Sequence, residues 1–574
     1  MRFILLSLLI LNGIVFSSCG DTEPATEDLV AKGGKQYGGE FKFMSPEKVK
    51  TLFPAHTAFL YTSRLIAQIY EPLMVFDAGS MKVIPGVAES FEMSSDAKVY
   101  TFKIRKGVMF HSNECFGGEA EELTAEDVKF TFEMACSGLE SNQISYLLKD
   151  RIEGANAFFK KSTKSIPSSG ISGIKVKGNS VEITLTNASP GFERVLTNPG
   201  LGIISKKAYE HYGDKKIDKN PVGSGPFMLE EMAGSKITLE RNPAYWRKDD
   251  FGNQLPFLNK VEMTYSKDKR SEFMSFRKKE IDLVLEIPVE EIEHILGSLQ
   301  EAQDGKNVKH KVEGKPSLSM SYIAMACESQ EFSDLRVRQA FNLAIDREEI
   351  IDNYLEGEGW AALNGFVPQM ADYDNDAVDG HSLNIDRAKS LMAQAGYSNG
   401  ANFPTLDFYV NATKGSGIHK MCQAISAQVK ENLNVDLNIK LCSIDEREEA
   451  IANGTAKIWR SGWIADYPDP ENFLGLFYSG NLEGGSSSVN SFKFSNEAFD
   501  KLFEAAASES DPAKRMELLV KCDQMVVDQA AVMPILTDDH IVMINARVRD
   551  FAASPMEVFS LTNVFIKEQR KEEK

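Results

Sequence analysis

The sequence predicts a large α/β protein built from more than one unit. Three observations support this fold class. The chain has 574 residues, which is enough for several domain-sized units. Short strand-like segments dominate its first half, and helical patterns alternate with strands in its second half. Hydrophobic residues make up 43% of the chain, which is ample for a large buried core.

The first element is a secretory signal over residues 1–18, which read MRFILLSLLILNGIVFSS. One cation precedes an apolar run from Phe3 to Phe16, and small residues follow the run. The run is shorter than the ~20 residues that a membrane-spanning helix needs. We therefore predict that this segment is a cleaved signal peptide and that the protein is exported.

The next element is a polar tether that begins at Cys19. The signal ends in Phe-Ser-Ser-Cys, which resembles the signal of bacterial lipoproteins, in which the cysteine is lipidated and becomes the new N-terminus. The alternative is an ordinary signal cleaved nearby, with Cys19 as a free thiol. Residues 19–37 are acidic and rich in glycine, with too little apolar surface to fold. The resemblance implies a body tethered at the periplasmic face of a membrane, within the cell envelope.

The β-rich part of the chain follows the tether. Alternating apolar residues predict strands in GGEFKFM, VYTFKIRKGVMF, ISGIKVKGNSVEITLTN, SKITLERN and LNKVEMTYS. A short helix running into a strand is predicted in SRLIAQIYEPLMVFD. A second helix is predicted in ELTAEDVKFTFEMAC, where Thr124 and Asp127 are spaced as a capping box. We expect this half to consist mainly of strands.

The second half alternates helices and strands. The segment DLRVRQAFNLAIDREEII predicts one helix and the start of another at Asp346. A helix and then a strand are predicted in IHKMCQAISAQVKENLNVDLNIKL, and two long helices and a strand between Ser495 and Leu536. In WIADYPDPENF, Asp469 followed by Pro470 predicts a helix start, because proline is tolerated at the first helical position.

Composition and motif spacing exclude several classes of function. The net charge of −19 argues against nucleic acid as a partner. The eight histidines include no pair at a metal-ligand spacing, so no metal site is predicted. The chain contains neither a G-x-x-x-x-G-K-[ST] phosphate loop nor a G-x-S-x-G nucleophile turn. We therefore expect a protein that is not an enzyme and has no cofactor. Disulfide pairing among the six cysteines after Cys19 stays open.

Five segments spread over the chain carry a family resemblance. In chain order they are QIYEPL; YTFKIRKGVMFH with LTAEDVKFTFE; NPVGSGPF with RNPAYW; DLRVRQAFNLAIDREEII; and SGWIADYPDPENFL. Together they resemble the oligopeptide- and dipeptide-binding family of extracytoplasmic solute-binding proteins, which serve peptide and nickel ABC transporters. The segments span most of the mature chain and follow the family's order.

The resemblance implies a type II periplasmic-binding-protein fold, with two α/β lobes around a cleft. We expect the first lobe to comprise residues 38–318 and 533–574, with an extra β-rich subdomain inserted at about 73–200. The second lobe is expected to comprise residues 319–532. This division agrees with the β-rich first half and the alternating second half.

The resemblance also assigns candidate ligand-binding residues. Asp466 lies outside the helix that Asp469 begins, and the matching aspartate of the family receives the α-ammonium of a peptide. Trp463 and Tyr467 are expected either to flank this site or to pack in the core. Arg460 matches a position at which some relatives carry an arginine that meets the ligand carboxylate; the alternative is a strand residue on the surface.

The expected function is that of a receptor that captures short peptides in the cleft and delivers them to an ABC permease. Its expected partners are the peptides, the permease subunits and the membrane, which it meets through the N-terminal lipid; the protein itself is expected to be a monomer. Two alternatives keep the fold: another cargo, such as a nickel chelate, an oligosaccharide or a haem-like ligand, or a peptide-sensing lipoprotein without a transporter. A cell-surface hydrolase is disfavoured because the sequence assembles no nucleophile, base and oxyanion motif.

Overall fold

The structure is a computed structural model. It describes seven ranges of the chain: 30–77, 82–266, 268–285, 310–355, 359–370, 372–482 and 489–567. The predicted signal peptide, Cys19 and the first part of the tether lie outside the described residues. In the ranges just given, no helix combines the length and the apolar character needed to cross a bilayer.

A seven-stranded sheet forms the base of the first part of the molecule, which we call body 1. In spatial order its strands are His310–Pro316, Asp539–Asn545, Leu283–Val284, Glu40–Ser45, Lys260–Tyr265, Lys236–Arg241 and Phe227–Ala233. The alternation in EFKFM buries Phe41 and Phe43 on one face, as the sequence predicts. The strand that carries them runs parallel to Lys260–Tyr265, with Glu40 opposite Lys260.

Body 1 also contains a smaller antiparallel sheet of four strands. In spatial order these are Ala88–Met93, Val99–Ile104, Ser180–Thr184 and Ile174–Lys177. The last three come from segments in which the sequence predicts strands, whereas Ala88–Met93 was not predicted. Two further pairs of short strands are Met74–Phe76 with Val83–Pro85, and Val548–Arg549 with Phe565–Ile566.

A six-stranded sheet forms the second part of the molecule, body 2. In spatial order its strands are Trp360–Ala361, Val532–Thr537, Ser319–Met325, Ile458–Ile464, Leu406–Val410 and Leu437–Leu441. Every residue of Ser319–Met325 is buried, because this central strand has a neighbouring strand on each side and its apolar residues pack into two different hydrophobic clusters.

The chain passes between the two bodies at residues 317–318 and again at Asp538. At this crossing the Ser317 backbone N–H donates to the Asp538 carbonyl oxygen (2.9 Å). Body 2 therefore extends to Thr537, whereas the sequence assigns residues from 533 onward to the first lobe. The shift arises because Val532–Thr537 pairs with Ser319–Met325 rather than with the seven-stranded sheet.

Helices cover the sheets of both bodies. Those of body 1 are Leu60–Ile69, Ala125–Ala135, Ala155–Lys161, Phe192–Val195, Lys206–Lys216 and Lys269–Arg277. Those of body 2 are Leu335–Leu343, Arg347–Tyr354, Ile385–Gln394, Gly417–Leu433, Ile444–Ala452, Pro470–Leu474, Glu497–Ser508 and Pro512–Asp528.

Three predicted helix starts are confirmed by their caps. The Thr124 backbone N–H donates to the Asp127 carboxylate (3.0 Å) at the start of the helix Ala125–Ala135. Asp346 accepts from the Glu349 backbone N–H (2.9 Å). The Glu471 backbone N–H donates to Asp469 (3.0 Å), so Asp469 caps its helix.

A buried histidine in body 1 gives a pH-dependent prediction. His56 lies between two carboxylates, with Nδ1 2.7 Å from Asp218 and Nε2 3.3 Å from Asp214. Burial disfavours the charged imidazole, but the hydrogen bonds to Asp214 and Asp218 outweigh it and raise the pKa of His56. Folding is therefore favoured by the protonated ring, and this stabilisation is lost as the pH rises through the raised pKa.

We expect His56→Gln to remove that pH dependence. Urea unfolding midpoints measured from pH 5 to pH 9 should fall more steeply with rising pH for the unmodified protein than for the variant. Equal slopes for the two proteins would contradict the proposed charge on His56.

Candidate functional site

A cavity of about 1970 Å³ lies between body 1 and body 2. Residues of both bodies line it, as does Asp538 at the crossing between them. The main lining segments are residues 58–63, 70–77, 197–199, 319–322, 411–418, 441–448, 460–466 and 556–560. The cavity is larger than the 300–1000 Å³ typical of small-molecule pockets, so it has room for an extended ligand.

Asp466 is held at the wall of this cavity by the end of a strand. The strand Ile458–Ile464 pairs antiparallel with Ser319–Met325 and stops two residues before Asp466. The helix capped by Asp469 begins at Pro470, four residues after Asp466. The short turn between strand and helix therefore presents Asp466 to the space between the bodies.

Three neutral side chains hold the Asp466 carboxylate. The Tyr146 hydroxyl donates to Oδ2 (2.9 Å), and the Asn198 Nδ2 group donates to Oδ1 (2.9 Å). Both of these residues belong to body 1. From body 2, Asn472 Nδ2 donates to Oδ2 (3.2 Å), and its Oδ1 accepts from the Asp466 backbone N–H (3.0 Å). The position of the carboxylate is thus determined from both sides of the cavity.

The electrostatic surroundings of Asp466 favour a positively charged ligand. Burial raises the pKa of Asp466, although the hydrogen bonds from Asn472, Tyr146 and Asn198 act in the opposite direction. No lysine or arginine among the described residues lies within ion-pair distance of its carboxylate. A cation in the cavity would therefore compensate a charge that the described protein residues stabilise only by neutral donors.

Trp463 forms part of the cavity wall beside Asp466. Its indole Nε1 donates to Asn472 Oδ1 (2.8 Å), the same atom that holds the Asp466 backbone. Its ring stands edge-to-face with that of Tyr146, at a centroid distance of 6.2 Å. The half-exposed indole therefore offers an aromatic surface next to the carboxylate.

Tyr467 lies on the other side of this wall. Its side chain is 4% exposed and belongs to the large hydrophobic core of body 1. Its hydroxyl oxygen accepts from Arg151 Nη2 (3.1 Å). The ring borders a smaller cavity of about 120 Å³ but is not among the residues that line the large one. Asp466 and Tyr467 therefore face different spaces.

Arg460 lines the large cavity from the middle of the strand that leads to Asp466. Its Nη2 donates to Ser321 Oγ (3.2 Å), and its buried Nε has no hydrogen-bond partner. Burial lowers the pKa of this guanidinium. Within the described ranges, Arg460 forms no ion pair with a carboxylate, although it lies in the field of Asp538. Asp466 and Arg460 therefore present opposite charges to the cavity, and neither forms an ion pair with another described residue.

Sequence reasoning missed Tyr146, Asn198 and Asn472. Tyr146 and Asn198 are 320 and 268 residues from Asp466 in the sequence. Neither lies in a segment that carries a predicted element or the family resemblance. Asn472 does lie in the quoted WIADYPDPENF segment. Its position three residues after the helix cap could have indicated a contact with Asp466, because a side chain in the first turn of a helix reaches back toward the preceding residues.

Two of the sequence segments that carry the resemblance meet at Glu71. The Glu71 carboxylate accepts from Tyr245 Oη (2.8 Å), Trp246 Nε1 (2.7 Å) and Arg247 Nε (3.1 Å). The guanidinium of Arg105 lies over the Trp246 ring, 4.4 Å from its centroid. QIYEPL and RNPAYW are therefore joined by a largely buried polar network that shapes body 1.

Comparison with known proteins agrees with this geometry. A family model described as bacterial extracellular solute-binding proteins, family 5 Middle, matches residues 82–485. The chain is 26% identical over 496 residues to di/tripeptide-binding protein 3 of Pseudomonas aeruginosa, covering 85% of this chain and 87% of that protein. It is 27% identical over 500 residues to heme-binding protein A of Haemophilus influenzae, covering 85% of each chain.

Solved structures show the same fold. The periplasmic binding protein DppA of Helicobacter pylori, in complex with the peptide STSA, superposes with a TM-score of 0.79 and 23% identity, covering 93% of this chain and 99% of that one. OppA of Haemophilus influenzae, in complex with the peptide RPPGFSPFR, gives a TM-score of 0.79 and 22% identity, covering 93% and 100%. The expected architecture of two α/β bodies around a cleft is thereby confirmed.

Proposed function

This chain belongs to family 5 of the bacterial extracellular solute-binding proteins, and from that premise we propose that it captures short peptides by their α-ammonium on Asp466. Proteins of this family are binding receptors of ABC transporters rather than enzymes. The proposal concerns the ligand and the residues that hold it. The di/tripeptide- and oligopeptide-binding names of its relatives support a peptide as the ligand.

The proposal rests on the position and the hydrogen-bond partners of the Asp466 carboxylate. It faces the cavity, is surrounded by neutral donors, and has no cationic partner among the described residues. An ammonium group forms a charge-assisted hydrogen bond with such a carboxylate, about twice as strong as a neutral one. In a closed cavity this bond is poorly screened, so it contributes strongly to affinity.

The rest of the cavity suits the other parts of a peptide. Arg460 lies six positions before Asp466, at most about 20 Å along the chain, and we assign it to the ligand's carboxylate. Trp463 forms the wall beside the ammonium. The peptide backbone is held by hydrogen bonds that every sequence can make, and side chains meet hydrated space. The Asp466 carboxylate and the Arg460 guanidinium have opposite signs and no ion-pair partner among the described residues, and this pair of charges favours a zwitterionic ligand over a neutral oligosaccharide.

The cellular part of the proposal concerns delivery. We propose that Cys19, outside the described residues, is lipidated and that residues 19–37 tether the receptor at the periplasmic face of the membrane. From there the closed receptor would pass its peptide to an ABC permease. A peptide sensor without a transporter shares every feature of the site and remains the alternative.

We expect peptides of two to five residues with a free amino terminus to raise the melting temperature of the mature protein. At a concentration 100 times the Kd, such a ligand stabilises the folded state by about 2.7 kcal/mol. N-acetylation of the same peptides should abolish the stabilisation, because it removes the positive charge. The measurement is a thermal melt with matched free and acetylated peptides. Equal stabilisation by both sets would refute the role of Asp466.

A further inference from the structure

A second feature of the interface between the bodies lies beside the ligand cavity and is not explained by ligand binding. The turn and helix that follow Asp466 contact a region of body 1 through two ion pairs and one buried ring. We call this group the latch: Tyr467, Asp469 and Glu471 of body 2, with Arg151 and Arg194 of body 1.

Two ion pairs of the latch cross from one body to the other. Arg151 Nη2 lies 2.6 Å from Glu471 Oε1, and Arg194 Nη1 lies 3.3 Å from Asp469 Oδ2. The Glu471 side chain is 6% exposed and that of Arg151 is 20% exposed. Solvent therefore screens the Arg151–Glu471 pair only weakly.

The two carboxylates of the latch are held in place within body 2. Arg515, on the helix Pro512–Asp528, donates to both oxygens of Asp469 (2.9 and 2.8 Å) and to Glu471 Oε2 (2.7 Å). Burial opposes a charge on Glu471, but Arg151 and Arg515 lower its pKa to about 2. Glu471 is therefore ionised, and its remaining oxygen is directed at body 1.

Tyr467 adds an apolar contact to the ion pairs. Its ring belongs to a core whose other members come from residues 41–285 and 542–566, which are all in body 1. Arg151 donates to its hydroxyl (3.1 Å) as well as to Glu471. Separation of the bodies would expose this ring and break both contacts of Arg151 at once.

We propose that the latch holds body 1 and body 2 closed over the cavity, and that Arg151 is a positioning residue that sets how long a ligand stays bound. The consequence for the ligand rests on the proposed peptide function. Arg151 itself is not among the residues that line the large cavity. It acts through Tyr467, which lies in the same short turn as Asp466, and through Glu471, which lies in the helix that follows this turn. Closure and the placement of the ligand-binding carboxylate are therefore coupled.

The chain offers a matched control for this proposal. Lys50 of body 1 and Asp445 of body 2 also form an ion pair between the bodies. Their side chains are 69% and 72% exposed, so the pair is screened by water and salt. Removing it deletes the same type of contact without the burial that gives the latch its strength.

The test compares Arg151→Met with Lys50→Met. Dissociation of a fluorescently labelled tripeptide, measured by stopped flow, should be at least 10-fold faster for Arg151→Met and less than 2-fold faster for Lys50→Met. The association rate and the rank order of peptide affinities should not change. Arg151→Lys, which keeps the charge, should recover part of the loss. Unchanged dissociation for Arg151→Met would overturn the proposal.

Two further measurements keep the test decisive. If Arg151→Met does not fold, Arg194→Met replaces it, because the Arg194 side chain is 38% exposed and its loss disturbs the fold less. We expect Arg194→Met to release the peptide about 3-fold faster. An unchanged dissociation rate would overturn the latch. If no peptide binds the unmodified protein, the proposed function fails by itself. Small-angle scattering then tests the latch alone: Arg151→Met should have the larger radius of gyration, and equal radii would overturn it.

Discussion

Asp466→Asn is expected to weaken the binding of peptides with a free amino terminus by about 30-fold to 4000-fold. Loss of one partner from a buried, hydrogen-bonded charge pair costs roughly 2–5 kcal/mol, because the remaining charge is left desolvated and unpaired. The asparagine has nearly the same shape as the aspartate. However, its amide nitrogen cannot accept from Tyr146 or Asn472, and the side chain carries no charge for the ammonium.

The control for this experiment is another carboxylate of the same cavity. Asp250 also lines the cavity, is exposed, and forms no ion pair with another described residue. We expect Asp250→Asn to change the affinity less than 2-fold. Titration calorimetry with the same tripeptide measures both variants, and circular dichroism verifies their fold. Normal binding by Asp466→Asn would show that this carboxylate only organises the turn.

The sequence was sufficient to predict that Asp466 lies outside the helix cap, because the signal is local. Asp469 and Pro470 mark the start of a helix, and the cap geometry confirms it. A carboxylate just before that start has no capping role. The structure adds what a local argument does not contain: the donors from Tyr146 and Asn198 arrive from body 1, across the closed interface.

The two aromatic residues show where local reasoning ends. Trp463 and Tyr467 flank Asp466 in the sequence, and either was expected to lie at the site or in the core. Trp463 lines the cavity, whereas Tyr467 is buried in the core of body 1. The direction of a side chain in a turn depends on backbone angles that sequence periodicity does not report, since periodicity describes only regular elements.

The fold was predictable in its elements and less so in their assembly. Alternating residues identify several strands of the first half, such as Glu40–Ser45 and Lys260–Tyr265, but not Ala88–Met93 or Phe227–Ala233. The seven-stranded sheet nevertheless joins strands from residue 40 to residue 545, and the strand Asp539–Asn545 lies between His310–Pro316 and Leu283–Val284. Such pairings are set by long-range burial rather than by local pattern, which is why the boundary near residue 533 was displaced.

Ligand binding and closure meet in one turn of the chain. Asp466 faces the cavity, Tyr467 enters the core of body 1, and Asp469 and Glu471 pair with arginines of body 1. A ligand that compensates Asp466 therefore stabilises the same turn that must be in place for the latch to form. Differential binding to the closed form is the thermodynamic requirement for a ligand to drive closure.

The largest loss of stability is expected from Gly223→Ala, in the NPVGSGPF segment. This turn is packed against the end of the helix Leu60–Ile69, where the Gly225 backbone N–H donates to the Ile69 carbonyl oxygen (2.8 Å). A Cβ atom on residue 223 would lie 2.0 Å from that oxygen. Because the obstacle is backbone rather than a flexible side chain, the helix end or the turn must move.

A second contact of the turn, with His111, raises the free energy needed to move it. The His111 backbone N–H donates to the Gly223 carbonyl oxygen (2.8 Å), and the buried His111 ring contacts Gly225, so the turn is held from both sides. We expect Gly223→Ala to lower the free energy of unfolding by about 3 kcal/mol or more.

Gly314→Ala is the control: its added Cβ has no neighbour closer than 3.8 Å, and we expect a change within about 0.5 kcal/mol. Urea unfolding of both variants measures the difference. If Gly223→Ala is as stable as the unmodified protein, the turn can shift away from Ile69 without a cost in free energy. The close packing of NPVGSGPF against Ile69 would then not explain why glycine is present in this segment.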